Sequence, residues 1–198
     1  MKNFKLITLA FLAVFTFTTS CSSDDDSGVA DDSGNTDDTV VVAVDSEFVL
    51  NGVTYPVAQG IVQSFGDNGN GTSFDFDITL FSDTITFDPT TGFSGAGEVV
   101  YLDLNSDNAT SLSDGTYVFA VDTGNFPDRN AFTVMDNSFG AVNFDTAAGT
   151  ADAGVVATTG SVVELTIEGG VYTIMYDILG GDGTTNIIGS YQGTLTSI

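Results

Sequence analysis

The chain has 198 residues, with three Lys and Arg against 27 Asp and Glu, no histidine, no tryptophan, one cysteine and a net charge of −24. Such a surface repels phosphates and anionic lipid, which excludes nucleic acid as a partner. Without histidine there is no Ser-His-Asp or Cys-His chemistry and no His-ligated metal; with both lysines confined to Lys2 and Lys5, Ser-Lys and Schiff-base chemistry go too, leaving carboxylate chemistry and hard-cation sites.

The first stretch is cationic at Lys2 and Lys5, apolar from Leu6 to Phe17, and small at Thr18-Thr19-Ser20 before Cys21. This is the order of a secretory signal, and the apolar run falls short of the ~20 residues a bilayer span needs. Ending on the sole cysteine, followed by Ser22-Ser23-Asp24-Asp25-Asp26, it resembles the bacterial lipoprotein signal, and its acidic tail resembles the surface-export signal of Bacteroidota lipoproteins. The resemblance implies cleavage before Cys21, acylation of its thiol and new amine, and a membrane partner through that anchor. It further implies an outer-membrane location facing the cell exterior. A lone thiol would otherwise be a reactive liability in an exported chain.

Residues 1–20 therefore read as the signal and 21–44 as the lipidated cysteine with an acidic tether. Ser22 to Asp38 has Val29 and Ala30 as its only apolar side chains, too little to offset ordering entropy. Thr39 to Val44 is an apolar run and a strand candidate at the domain boundary. Residues 45–198 are expected to form one β-domain. Its Val, Thr, Phe and Tyr favour strands and its Gly, Asn and Asp favour tight turns.

Glu47 to Leu50, Asn51-Gly52 and Val53 to Tyr55 make the strongest hairpin signal, since both central residues need positive φ. Pro56 cannot donate to a ladder and marks an edge or bulge. Val57 to Phe65 reads as a strand and Gly66 to Gly71 as an exposed loop. Phe74, Phe76, Ile78 and Leu80 alternate with Asp75, Asp77 and Thr79, giving one buried and one wet face. Thr84 to Phe87, a turn at Pro89 to Gly92, and Glu98 to Leu104 follow. Beyond a polar loop at 105–115, Thr116 to Val121 is apolar on both faces, so it should be central or covered. Phe132 to Met135 and Phe139 to Phe144 read as a hairpin, and 146–154 as a loop. The last stretch is a three-stranded meander: Val163 to Glu168, the Gly169-Gly170 turn, Tyr172 to Ile178, and Ile187 to Leu195. Its glycines are expected to let an aromatic ring lie flat on the sheet or to allow the sheet to coil.

The sum is an all-β chain of nine or ten strands: an antiparallel β-sandwich, or alternatively a flattened up-and-down, calycin-like barrel. The Asn-Gly-Val-Thr-Tyr-Pro opening and the Gly-Gly-Val-Tyr-Thr-Ile and Gly-Ser-Tyr-Gln-Gly-Thr-Leu ending resemble those of small Bacteroidota lipoproteins, a likeness that bears on fold and location only.

Four groups are candidate sites. Asp103, Asn105 and Asp107, with Asp114 at the twelfth position, have the alternating oxygens of a calcium loop, although Asn108 replaces the turn glycine and no helices flank it; the other reading is a polar hairpin loop. Asp75 with Asp77, and Glu164 with Glu168, are carboxylate pairs of the kind glycan hydrolysis uses, or simply a solvated sheet face. Phe81, Phe93, Phe126 and Phe139 lie at strand ends or in turns, where they serve either as stacking platforms for a glycan or as lids on the core. Arg129 is available to a ligand carboxylate, or to an aspartate such as Asp128. Finally, Thr39, Thr84 and Thr146 each follow an aspartate and precede an apolar residue, which resembles the O-glycosylation motif of Bacteroidota exported proteins. The expected function is a lipid-anchored surface binding module, for a glycan or an envelope protein. The alternatives are a carboxylate-based glycan-active enzyme and a calcium-stabilised module.

Overall fold

A computed structural model describes residues 45–124 and 129–198. Cys21, Thr39, Phe126 and Asp128 lie outside the described residues. The described chain is all-β, without a helix. In order the strands are β1 (Glu47–Leu50), β2 (Val53–Pro56), β3 (Gln59–Asp67), β4 (Phe74–Phe81), β5 (Ile85–Asp88), β6 (Gly92–Ser106) and β7 (Gly115–Ala120). There follow β8 (Thr133–Met135), β9 (Phe139–Asp145), β10 (Ala153–Val156), β11 (Val162–Glu168), β12 (Val171–Leu179), β13 (Asn186–Gly193) and β14 (Thr196–Ser197).

These strands form one curled mixed sheet, a half-barrel, in the order β14-β3-β4-β6-β8-β7-β11-β12-β13-β1-β2. β5 and β9 attach to β6, and β10 to β9. Fourteen strands replace the nine or ten expected, and two pairs, β7 with β8 and β14 with β3, run parallel. The extra strands are short: β10 is four residues long and begins at the end of what reads as a small-residue loop, and β14 is two residues long. Segments so brief carry no detectable period; they are strands because a neighbour offers unpaired backbone groups.

Turn chemistry places the first and last hairpins as expected. Asn51 and Gly52 take φ of 53° and 78°, and β1 and β2 pair across them. Pro56 ends β2, the strand at one limit of the sheet order, where its missing donor costs no ladder bond. Gly169 and Gly170, at φ of 59° and 85°, join β11 to β12, and β13 completes the meander. Gly189 on β13 lies between Phe48 on β1 and Tyr176 on β12. A Cβ there would sit 2.6 Å from both the Phe48 Cβ and the Tyr176 hydroxyl, so the glycine does make room for a ring.

Two expectations change. β8 and β9 do not pair with each other: both lie along β6, β8 against Leu104 and Asn105, β9 against Ala96 to Tyr101. The 15-residue β6 is long enough to hold both in succession. β7 is central, between β8 and β11, but only Tyr117 of it is fully buried, and Val118 faces solvent.

The main core packs Phe48, Ile78, Leu80, Val100, Leu102, Leu104, Tyr117, Val163, Ile174, Ile178 and Ile187. Each such side chain contributes roughly 1.5–3 kcal/mol on leaving water. A second apolar cluster, Ile61, Phe81, Ile85 and Val99, is separate from it, with Phe87, Phe93, Phe139 and Phe144 packed against it. That smaller cluster positions the site.

Candidate functional site

The β4 alternation that buries Ile78 and Leu80 in the core sends Asp75, Asp77 and Thr79 to the other face. Register sets their neighbours. On β6, Asp103 lies opposite Asp77 and Tyr101 opposite Thr79; on β3, Gln63 lies opposite Asp77. Phe139 of β9 is opposite Tyr101, their rings stacked with centroids 5.6 Å apart.

This face is not the open, wet surface that alternation alone suggests. The β5–β6 hairpin brings Phe87 against Phe93, centroids 4.9 Å apart, and Phe93 edge-on to Phe81 at 5.4 Å. Phe144 packs 6.0 Å from Phe139. Phe87, Phe93, Phe139 and Phe144, with Ile61, Val99 and Ile198, line a cleft of about 330 Å³ that also contains Asp77, Tyr101, Gln63, Thr79 and Thr146.

Behind Asp77 is a carboxylate cluster. One oxygen from each of Asp75, Asp77 and Asp103 lies within 4.8 Å of the others, near enough to share one ion. Arg129 supplies a cation: its guanidinium donates to Asp75 Oδ2 at 3.2 Å and to Asp122 Oδ2 at 2.7 Å, with the Arg129 side chain almost wholly buried. Asp103 is also buried, and its Oδ2 accepts from Asn137 Nδ2 at 2.8 Å. Asp75 Oδ1 and Asp103 Oδ1 are buried and accept no hydrogen bond. The Tyr101 hydroxyl donates to Asp77.

Burial is the main reason these acids give up their protons at higher pH than an exposed aspartate does. It pushes Asp77 up to about 6, with the Tyr101 hydrogen bond opposing and Asp103 assisting. Burial and then the Asp75 charge push Asp103 up to about 6. Asp75 is raised by burial and by Asp77, against the pull of Arg129.

The segment after β3 holds the Arg129 loop. Asn68, expected in an exposed loop, is buried, and so is Ser73 just beyond that loop. Asn68 Nδ2 donates to Asn105 Oδ1 at 2.7 Å, and Asn105 Nδ2 donates to Thr133 Oγ1 at 2.9 Å. Ser73 Oγ and Asn70 Nδ2 both donate to the Arg129 carbonyl at 2.7 Å. Side-chain amides here replace the backbone pairing that a loop lacks.

The calcium-loop residues are divided. Asp103 joins Asp75 and Asp77, while Asn105 belongs to the amide network. Asp107 accepts from Ser113 Oγ at 2.6 Å, and Asp114 accepts from the Ile167 amide at 2.8 Å. Glu164 and Glu168 lie exposed on β11, three strand positions beyond β6. Of the four aromatics picked from sequence, Phe81, Phe93 and Phe139 do come together, with Phe81 buried beneath Phe93. Thr84 is exposed, its hydroxyl 2.9 Å from Ser82 Oγ; Thr146 donates to the Gly95 carbonyl at 2.8 Å. Sequence reasoning missed Gln63, Asn68, Phe87, Tyr101, Asp122, Asn137 and Phe144 as site residues; only the period-2 alternation of β6 hinted at Tyr101.

The fold and site define an all-β domain with an aromatic cleft beside a partly neutralised carboxylate cluster. Comparison with protein-family models, curated proteins and solved structures finds no match for this chain.

Proposed function

We propose that this chain is a lipid-anchored, non-catalytic binding module displayed on the outer membrane, and that the cleft between β3, β5, β6 and β9 is its ligand seat. The observation that carries the reading is the gathering of Phe87, Phe93, Phe139, Phe144 and Tyr101 around about 330 Å³ on the face opposite the main core. That volume is at the lower end of the ~300–1,000 Å³ of small-molecule sites, and apolar walls with a few polar groups are their usual lining. The anchor is supported by the Leu6 to Cys21 pattern and its acidic sequel. Of the two architectures expected, one continuous curled sheet favours the flattened barrel over the two-sheet sandwich.

Two experiments test this. Radiolabelled palmitate is expected in the wild-type protein and absent from Cys21→Ala; equal labelling of both removes the anchor. Binding of envelope extracts or a glycan panel is expected to fall in Phe93→Ala and Phe139→Ala alike. Binding that survives both places the ligand elsewhere.

A second reading, a carboxylate enzyme, is favoured by Asp77 and Asp103, two acids raised to about 6 and facing each other across β4 and β6. Turnover of any polysaccharide, abolished by Asp77→Asn, would replace the first reading with this one.

A further inference from the structure

Resting on the cleft being the ligand seat, we propose that its ligand class is a small organic cation: an ammonium group carried on an apolar, ring-sized body. Three observations converge. The walls are mostly apolar, and Phe87, Phe93, Phe139, Phe144 and Tyr101 supply five aromatic rings among them. The apolar part of the lining suits an apolar body, since a polyol hydroxyl facing a ring finds no partner there. The faces of such rings carry partial negative charge and attract a desolvated cation.

The one side chain lining the cleft that is charged near neutral pH is an acid, Asp77. Asp75 and Asp103 stand beside it, three carboxylates against the single guanidinium of Arg129, which Asp75 shares with Asp122. The cluster thus presents surplus negative charge at the cleft, and two of its buried oxygens accept no hydrogen bond. A cation entering beside Asp77 offsets a charge that burial has stripped of water.

Beyond Lys5 the sequence has no cationic side chain other than Arg129, so no lysine or histidine competes for that position. The chain's net charge of −24 concentrates cations near its surface and turns anions away. An apolar anion is therefore opposed by both the local and the overall field, and an apolar cation is favoured by both.

The test is isothermal titration of the purified protein near neutral pH with three probes of matched shape: phenylbutylamine, phenylbutanol and phenylbutyrate. The amine is expected to bind about tenfold tighter than the alcohol, the scale of a desolvated cation–ring contact, with phenylbutyrate weakest. Asp77→Asn is expected to erase the amine's advantage and leave the alcohol's affinity in place. Phe139→Ala is expected to weaken amine and alcohol together. Independently of any variant, the amine's chain protons are expected to show nuclear Overhauser contacts to the rings of Tyr101 and Phe139. An alcohol that binds as tightly as the amine, or an amine advantage that persists in Asp77→Asn, overturns the cationic ligand while leaving the cleft as the seat. Contacts to another face, or no binding by any probe or by the glycan panel, overturn both.

Discussion

Gly189 and Tyr176 show how one atom decides what a strand can hold. The Tyr176 ring lies over the glycine, and a Cβ at 189 would also come within 2.5 Å of the Glu47 carbonyl, which cannot move aside. Gly189→Ala is therefore expected to cost about 2–3 kcal/mol, measured by urea denaturation, as overpacking does in a tight core. A variant within a few tenths of a kcal/mol of wild type would mean β1 and β13 shift apart easily. The Tyr176 hydroxyl itself is buried with no hydrogen-bond partner, and burial raises its pKa. Tyr176→Phe is expected to stabilise by about 1 kcal/mol, because it removes an unsatisfied polar group and leaves the ring. Loss of stability in that variant would point to a partner for the hydroxyl. The two sites touch, so the double variant is expected to be less destabilised than the sum of the singles.

At the level of elements, β6 is the strand on which the site depends. Its length lets β4 pair along one side and β8 then β9 along the other, and the break between them is held by Ser138, whose Oγ accepts from the Asp103 amide at 2.9 Å. The opposite limit of the order is weaker. β14 contributes two residues parallel to Ile61 and Val62, and Ile198 beyond it lines the cleft. Deleting residues 196–198 bares the edge of β3, and exposed edges pair with other chains. The truncated protein is expected to melt lower and to show a dimer or higher species by size exclusion. If it stays monomeric with an unchanged melting point, β14 is dispensable to that edge.

For the whole molecule, acidity is the dominant variable. Asp75, Asp77 and Asp103 have folded pKa values above the unfolded 3.8, with Asp77 and Asp103 at about 6. Between roughly pH 4 and 6 the native state therefore binds more protons than the unfolded state, and stability falls as pH rises through that window. Asp88, Asp122 and Asp182 are shifted the other way, by hydrogen bonds from nearby backbone and side-chain groups; their contribution is lost only below about pH 4. Self-repulsion at a charge of −24 acts in the same direction as the raised acids. The melting temperature is expected to be higher at about pH 5 than at pH 7, and this rise is expected to shrink in Asp77→Asn with Asp103→Asn. A melting point that climbs from pH 5 to 7 would contradict the buried cluster.

The sequence by itself determined the all-β class, the β1–β2 hairpin and the closing meander. Each follows from rules that act within about ten residues: alternation of apolar and polar side chains, and positive φ at Asn-Gly and Gly-Gly. It also marked Phe93, Phe139, Asp75 and Asp77 as residues to examine. Only the tertiary structure decided that these meet at one cleft, that Asp103 turns to Asp77 rather than to Asp107 and Asp114, and that Arg129 reaches Asp75 and Asp122. Apart from the Arg129–Asp122 pair, seven residues apart, those outcomes depend on segments 20 to 60 residues apart being brought together. Local pattern tells which face a side chain takes, but pairing across such distances tells whose side chain it meets there.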